Sequence, residues 1–491
     1  MSQSSHPAGT SPPRSNGKNR CNRKRLDRLP PGERTDELLP RVLGYYTRLC
    51  ALPRRTRRAL VRQWRRSLSA IALLLALGQA PALAAVINVD GTACTLVDAI
   101  TSANTDAAAG GCPAGNGADT IVLPTGSTQS LTAVDNITLG PTGLPLITST
   151  VTIRGRNSTI QRESNAPEFR ILAVDSSGDL TLHSTTVSGG RSTAYYPNHL
   201  DGGGVYNSGI LTLTNSTVSG NDVGFFGGDG GGVFNSGTLT LRNSTVSGNG
   251  ASGGGGIANS GTSTLTHSTV SGNDTFVGTP GGMLSGSGGG IANTGTLTVS
   301  NSTVSSNSTG LYGGGGLING VGFGSPPPGT PIPILTLSNS TVSGNAAIDG
   351  GGVRNQGGGT LTLARTLISG NNDYLGGANE VEGYGTIGTI VANNYNLFGH
   401  DGDAGVVGFS PGSTDLVPSE GLGAILNTTL ANNGGPTRTH ALVRGSPAID
   451  ASPDDADCAA TDQRGIRRPK GPACDIGAFE GSRKRQRHRG R

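Results

Sequence analysis

The stretch that decides the fold is "NSTVSGN", residues 215–221. It returns unchanged at 243–249 and 339–345, and in altered form as "HSTVSGN" (267–273), "NSTVSSN" (301–307) and "RTLISGN" (365–371). A catalytic motif normally occurs once; a short motif that keeps returning marks a repeat architecture. A second motif, Gly-Gly-Gly-(Val/Ile/Leu)-x-Asn, precedes each copy, at 202–207, 230–235, 254–259, 288–293, 314–319 and 350–355. From each GGG to the end of the next seven-residue motif the count is 20 residues in 202–221, 230–249, 254–273 and 288–307. It is 32 in 314–345, where "VGFGSPPPGTPI" is inserted, and 22 in 350–371.

Within each unit the apolar residues alternate, as in Val205, Leu211, Leu213 and Val218, then Val233, Leu239, Leu241 and Val246. Alternation over short runs means strands, and the Gly and Asn-Ser-Gly clusters between them mean turns. Each unit is too short to hold a helix and carries no tight hairpin signal. The reading is an all-β fold, a single parallel β-helix (β-solenoid) with three short strands per coil. The crossover rule makes it right-handed. Strands of successive coils then lie about 4.8 Å apart, so equivalent side chains stack. Leu180, Leu211, Leu239, Leu297, Leu335 and Leu361 form one expected column, and Val187, Val218, Val246, Val270, Val304, Val342 and Ile368 another. Ser263 interrupts the first column, which predicts a locally loose coil. Asn215, Asn243, Asn301 and Asn339 are expected to form an amide ladder, and Gly220, Gly248, Gly272 and Gly344 to take the bends. No copy buries its own apolar face, which is why the motif must repeat. Weaker units at 151–155, 171–187 and 389–399 extend the stack to an expected total of about 9–12 coils.

The chain has 491 residues, 82 of them Gly, with 14% charged residues and no G-X-Y period, which excludes collagen. The net charge of +5 hides an asymmetry. Residues 1–66 carry 17 Lys/Arg against 4 Asp/Glu, the tail 483–491 carries 6 basic residues, and the body 67–482 is left at −14 with Lys470 as its one lysine. An acidic body argues against a nucleic-acid partner. "VRQWRRSLSAIALLLALGQAPALAA" (61–85) reads as a signal peptide: a basic flank, the apolar run Ile71–Leu77, and Ala82-Leu83-Ala84 as a small-residue cleavage site. That run is too short to span a bilayer. Arg65-Arg66 leaves general and twin-arginine export both open. Two readings of the long basic leader stand: a genuine leader, or a true start near Leu60 or Val61. Cys94, Cys112, Cys458 and Cys474 form two local pairs, one near each end, and fit disulfides made after export. Their spacings match no zinc pattern.

The expected organisation is a basic leader (1–66), a signal peptide (67–85), an N-terminal cap (86–125), β-helix repeats (126–431), a C-terminal cap (432–481) and a basic tail (482–491). In "CTLVDAITSAN" (94–104), Leu96, Ala99, Ile100 and Ala103 have helical spacing, so a short capping helix is predicted with Thr95 at its start. Between units, the elastic segments are 190–201, 222–229, 250–253, 274–287, 308–313 and 346–349. All fall at one corner of the coil. They carry Tyr195, Tyr196, Phe225, Phe226, Phe276 and Tyr312 as candidate ligand-binding residues, because loops on a rigid scaffold carry recognition and aromatic faces suit sugar rings or peptide side chains. The alternative is that these rings fold back over their own loops.

Cys94-Thr95-Leu96-Val97-Asp98-Ala99-Ile100, with Asn104, Cys112 and "GADTIVLP" (117–124), resembles the CSLREA domain of exported bacterial β-helix proteins. "NNGGPTRTHALVRGSPAIDA" (432–451) with "TDQRGIRRPKGPACDIGAFE" (461–480) resembles the choice-of-anchor Q domain. The repeats between them look like coils of the pectin-lyase-like fold. The resemblance implies an exported or surface-associated protein. The tail "GSRKRQRHRGR" has no apolar stretch, so the resemblance does not carry an anchor over to it; the tail suits an anionic surface or is a solvated end.

Lyases of that fold use clustered carboxylates for calcium with an Arg or Lys base, and hydrolases use two or three close carboxylates. Here the strand faces carry Thr, Ser and Asn, and Asp201, Asp222, Asp229, Asp274 and Asp349 sit in corner loops. Arg242, Arg354 and Arg365 have no adjacent acid in sequence, and His183 and His267 occupy different repeat positions. Asp401 and Asp403 in "HDGDAG" (400–405) are candidate Ca²⁺ ligands, as is the run Asp450, Asp454, Asp455 and Asp457; turn use of Asp-Gly is the competing reading. Asp462, Arg464 and Asp475 are expected to form structural ion pairs. The reading is an exported, monomeric, non-catalytic protein of the cell surface or medium that binds a glycan or cell-surface component. No cofactor is expected apart from possible Ca²⁺. The alternative is a polysaccharide lyase or hydrolase.

Overall fold

Val218, the apolar residue of the opening motif, pairs in parallel register with Val187 on one side and Val246 on the other. The column continues through Val270, Val304, Val342 and Ile368, each no more than 1% exposed. The structure, a computed structural model, describes residues 84–192, 201–224, 228–275, 288–310, 313–320, 331–348, 350–374, 380–385 and 388–481. The basic leader, the signal segment up to residue 83 and the tail 482–491 lie outside the described residues. Every strand-to-strand pairing that is described is parallel, from Val86–Asn88 at one end to Val406–Val407 at the other. This is a parallel β-helix.

One rung shows how the sequence closes a turn. Val205–Asn207 belongs to a nine-stranded sheet that runs from Leu172–Val174 to Val406–Val407. Ile210–Thr214 and Thr217–Ser219 both belong to a 19-stranded sheet. The two limbs meet at Asn215, whose φ of 50° turns the chain. In the earlier rungs Thr150–Arg162 and Asp179–Ser188 the chain passes through this bend as one strand. Five central rungs add a fourth strand directly after the motif, such as Gly250–Ala251 and Asp274–Thr275, and these form a five-stranded sheet of their own. The sequence had placed those residues in the variable segments. Two-residue strands are too short to show a period.

The expected Leu column forms, with Leu180, Leu211, Leu239, Leu297, Leu335 and Leu361 all 0% exposed. Ser263 does not loosen it. Ser263 is 1% exposed, its hydroxyl donates to Asn259 Oδ1 at 2.7 Å, and it accepts from Asn235 Nδ2 at 3.3 Å. A buried hydroxyl with a partner on its own rung and another on the rung before replaces apolar contact by hydrogen bonds.

The amide ladder exists, but Asn215, Asn243, Asn301 and Asn339 are not its members. They take φ of 50°, 51°, 45° and 47°, the left-handed conformation that Asn tolerates better than most residues. Two other Asn columns build the ladders. Asn207, Asn235, Asn259, Asn293, Asn319 and Asn355, from the glycine motif, are linked Nδ2 to Oδ1 at 2.6–2.8 Å. Asn221, Asn249, Asn273, Asn307, Asn345 and Asn371, which close the seven-residue motif, are linked at 2.8–3.0 Å. A shorter Ser ladder runs beside them, with the N–H of Ser216, Ser244 and Ser268 each donating to the Oγ one rung on. The triple glycine follows from the second Asn ladder: a Cβ on Gly204 would lie 2.9 Å from Asn221 Nδ2 and 2.6 Å from the carbonyl of Gly232. Gly220, Gly248, Gly272 and Gly344 bend at φ of 63°, 63°, 62° and 70°, as expected.

The helix Leu96–Thr105 buries Leu96, Ala99, Ile100 and Ala103, and the Thr95 hydroxyl accepts from the N–H of Asp98 at 3.1 Å. Cys94 pairs with Cys112, and Cys458 with Cys474. Segment 432–481 lies against the later rungs from the side. The Gln463 amide donates to Ser268 O, Thr269 Oγ1 and Thr437 Oγ1 and accepts from Thr303 Oγ1 at 2.6 Å. Further along, Thr341 Oγ1 accepts from Ala478 N, and the Arg365 carbonyl accepts from Gly477 N. The segment is therefore a lateral strap, and it buries Thr269, Thr303 and Thr341 to 4% exposure or less, while their counterparts Thr217 and Thr245 stay partly exposed.

Candidate functional site

The variable segments leave the rungs between the end of the seven-residue motif and the triple glycine. Tyr195, Tyr196, Phe225, Phe226, Phe276 and Tyr312 lie outside the described residues. What is described is the scaffold around them. On the nine-stranded sheet the middle residue of each strand points away from the core. It is partly exposed at Tyr206 and Phe234, between inward neighbours such as Val205 and Asn207, and covered at Ala173, Ala258, Ala292, Ile318 and Arg354. On the two rungs after Ala173 this residue is aromatic. Tyr206 and Phe234 stack one rung apart, with centroids 5.3 Å apart and planes at 13°. The Arg170 guanidinium lies 5.0 Å from the Tyr206 centroid and donates to the Leu139 carbonyl at 2.6 Å. Burial lowers its pKa to about 10, opposed by the charge of Asp201. Down the same column follow Ala258, Ala292, Ile318, Arg354 and Glu382. Arg354 Nε stands 3.5 Å from Glu382 Oε2, with the guanidinium 4.1 Å from the Tyr384 ring. Tyr206 and Phe234 were legible as the variable position of Gly-Gly-Gly-(Val/Ile/Leu)-x-Asn. The partners of Arg170 and Arg354 were not, because each is a rung or more away in sequence.

A second outward surface is the first limb of the large sheet, where Thr212, Thr240, Thr264, Thr298, Thr336 and Thr362 stand in register. Exposed Thr in strands is explained by β-propensity.

The carboxylates of the later rungs serve the structure. Glu380 is 0% exposed and ends the second Asn ladder, accepting from Gly370 N at 2.8 Å, Asn371 N at 3.2 Å and Asn371 Nδ2 at 2.6 Å. Burial outweighs these bonds and raises its pKa to about 7. Arg365 reaches Asp455 at 2.7 Å and ties the strap to its rung. In the strap Arg464 pairs with Asp462 at 2.6 Å and lies over the Phe479 ring, and Arg468 lies 3.6 Å from Glu480. The Asp475 carboxylate instead accepts the N–H groups of Asp450 and Gly481, and burial raises its pKa to about 6. His440 Nδ1 is 2.8 Å from the Asn427 carbonyl, so it carries the proton, and Nε2 accepts from Ser305 at 2.8 Å. Burial lowers its pKa and keeps the ring neutral.

Of the two candidate calcium ligands in 400–405, Asp403 Oδ1 accepts the N–H of Gly405, and Asp401 Oδ2 lies 3.9 Å from His400 Nε2. Among the described residues, the one group of three His, Cys, Asp or Glu donors close enough for a metal is Asp454 with Cys458 and Cys474, and both of its sulfurs are in a disulfide.

Fold and surfaces together define a parallel β-helix protein. No family model matches the sequence, and no curated protein matches it. Among solved structures, one neighbour is the crystal structure of pectate lyase Pel9A, 14% identical, covering 74% of this chain and 88% of that one, with a TM-score of 0.38. That likeness carries no argument about activity.

Proposed function

We propose that the chain is an exported, non-catalytic β-helix protein of the cell surface or medium that binds a glycan through its loop edge. One observation carries the reading. Apart from the insertion 321–332 and two extra residues in 350–371, length varies at a single corner of the scaffold, next in sequence to the strands that carry the Tyr206–Phe234 stack, with Arg170 packed against Tyr206. Aromatic rings are the groups that hold sugar rings, and the buried Arg170 fixes Tyr206 from behind. Export is supported by the signal-like segment 61–85 and by the two disulfides. The motif resemblances of 94–124 and 432–480 to the CSLREA and choice-of-anchor Q domains point the same way.

A glycan array run beside a sugar-release assay tests this. The expected outcome is binding to a subset of glycans with no sugar released. A variant carrying Phe225→Ala, Phe226→Ala and Tyr312→Ala should bind at least about tenfold more weakly, the loss of roughly 1.4 kcal/mol expected when ring contacts are removed. Unchanged binding by that variant would end the loop-edge reading. Sugar release by the wild type would make the protein an enzyme.

A further inference from the structure

We propose that Asp201 and Asp229 form a structural Ca²⁺ site at the glycine corner of two successive rungs. Both residues stand directly before a triple glycine, and stacking brings their segments together, with Gly202 N donating to the Asp229 carbonyl at 2.9 Å. Asp201 Oδ1 accepts the backbone N–H of Asp229 at 2.8 Å. The same bond is not made one rung further on. There Asp229 faces Gly253, and Asp229 Oδ1 has no hydrogen-bond partner although the residue is only 9% exposed.

A buried carboxylate oxygen without a donor is costly. A proton or a cation removes the cost. Burial and the neighbouring Asp201 push the Asp229 pKa up to about 8, so near neutral pH the two compete for the same oxygen. Three features favour the cation. A second carboxylate, that of Asp201, lies alongside, so a divalent ion would meet two negative groups. The surrounding backbone is glycine, and carbonyls such as those of Gly228 and Gly253 each accept one N–H and keep a second lone pair for a cation. Ca²⁺ accepts irregular sets of hard oxygen ligands, whereas Mg²⁺ demands a near-ideal octahedron. Other charged groups at this edge are already engaged: Asp222 Oδ1 accepts Gly224 N at 2.7 Å, and Glu168 pairs with Arg191 at 3.1 Å. Arg170 lies over Tyr206, and its guanidinium also interacts with the charge of Asp201. The ion would clamp one rung to the next where the loops emerge. This site is independent of the glycan-binding reading.

The test is thermal melting and calorimetry of the chelator-treated full chain with CaCl₂, on wild type, Asp229→Asn, Asp201→Asn and a double Asp401→Asn, Asp403→Asn variant. Wild type should gain roughly 2–6 °C in Tm at saturating Ca²⁺. Asp229→Asn should lose that gain while melting no lower than wild type without calcium, and the double variant should keep it. Should Asp229→Asn fail to fold, Asp201→Asn must show the same loss. No response in wild type, or an equal response in wild type and Asp229→Asn, overturns the proposal and leaves Asp229 simply protonated.

Discussion

Each letter of NSTVSGN has its own physical task, and the tasks differ even for identical residues. Asn215 supplies a left-handed bend, Ser216 a buried rung-to-rung bond, Val218 core, Gly220 a second bend and Asn221 the amide ladder. Thr217 and Ser219 face outward. The two Asn should therefore respond very unequally to substitution. Asn243→Gly removes a side chain from a left-handed position and is expected to cost under about 1 kcal/mol. Asn249→Ala strips the acceptor for Asn221 N and Nδ2 and the donor to Asn273. It should cost about 3 kcal/mol or more, because buried groups lose their partners. Urea denaturation of both variants checks the contrast, and equal losses would refute the assignment. Glu380 gives a pH test. Its folded pKa of about 7 lies above the ordinary 4.5, so the folded state binds the extra proton. Its contribution to stability is full below about pH 4.5 and is lost as pH rises through 7. Wild type should lose Tm across that window more steeply than Glu380→Gln; parallel profiles would count against it.

At the scale of elements, the bent 19-stranded sheet and the strap decide which strand faces meet solvent. The strap is held chiefly through polar contacts, with Gln463 bridging two rungs and Arg365 reaching Asp455. Gln463→Ala removes the bridge. It should raise amide exchange at the Thr269 and Thr303 rungs without changing the far-ultraviolet spectrum, since the rungs are held by their own ladders. Unchanged exchange there would mean that the strap is held elsewhere. The helix Leu96–Thr105 was legible because its apolar spacing and Thr95 cap are local signals. The position of the strap was not. Its contacts with the rungs join residues far apart in sequence, such as His267 with Thr461, and no local period encodes them.

For the whole molecule, stability is a sum over rungs and the contacts between them. Deleting Ser236–Asn259 removes one complete turn and joins Asn235 to Ser260, which keeps every column in register. The product should remain folded, be shorter by about 4.8 Å and melt lower. Deleting only Ser236–Ser247 breaks the register and should abolish the cooperative transition. Circular dichroism and small-angle scattering distinguish the outcomes; two equally folded products would contradict a stacked rod.

Alternation within each unit, with near-constant spacing between units, determined the parallel β-helix, its Leu and Val columns and the helix before its first rungs. Those features come from neighbours in sequence and from periodicity, and both are written in the chain. Only tertiary structure decided which Asn bend and which form ladders. Composition is the same at both positions, and the difference is whether the backbone turns the amide inward or out. The same holds for Ser263, rescued by Asn259 of its own rung and Asn235 of the rung before, and for Asp229, whose missing partner is visible only once the next rung places a glycine against it.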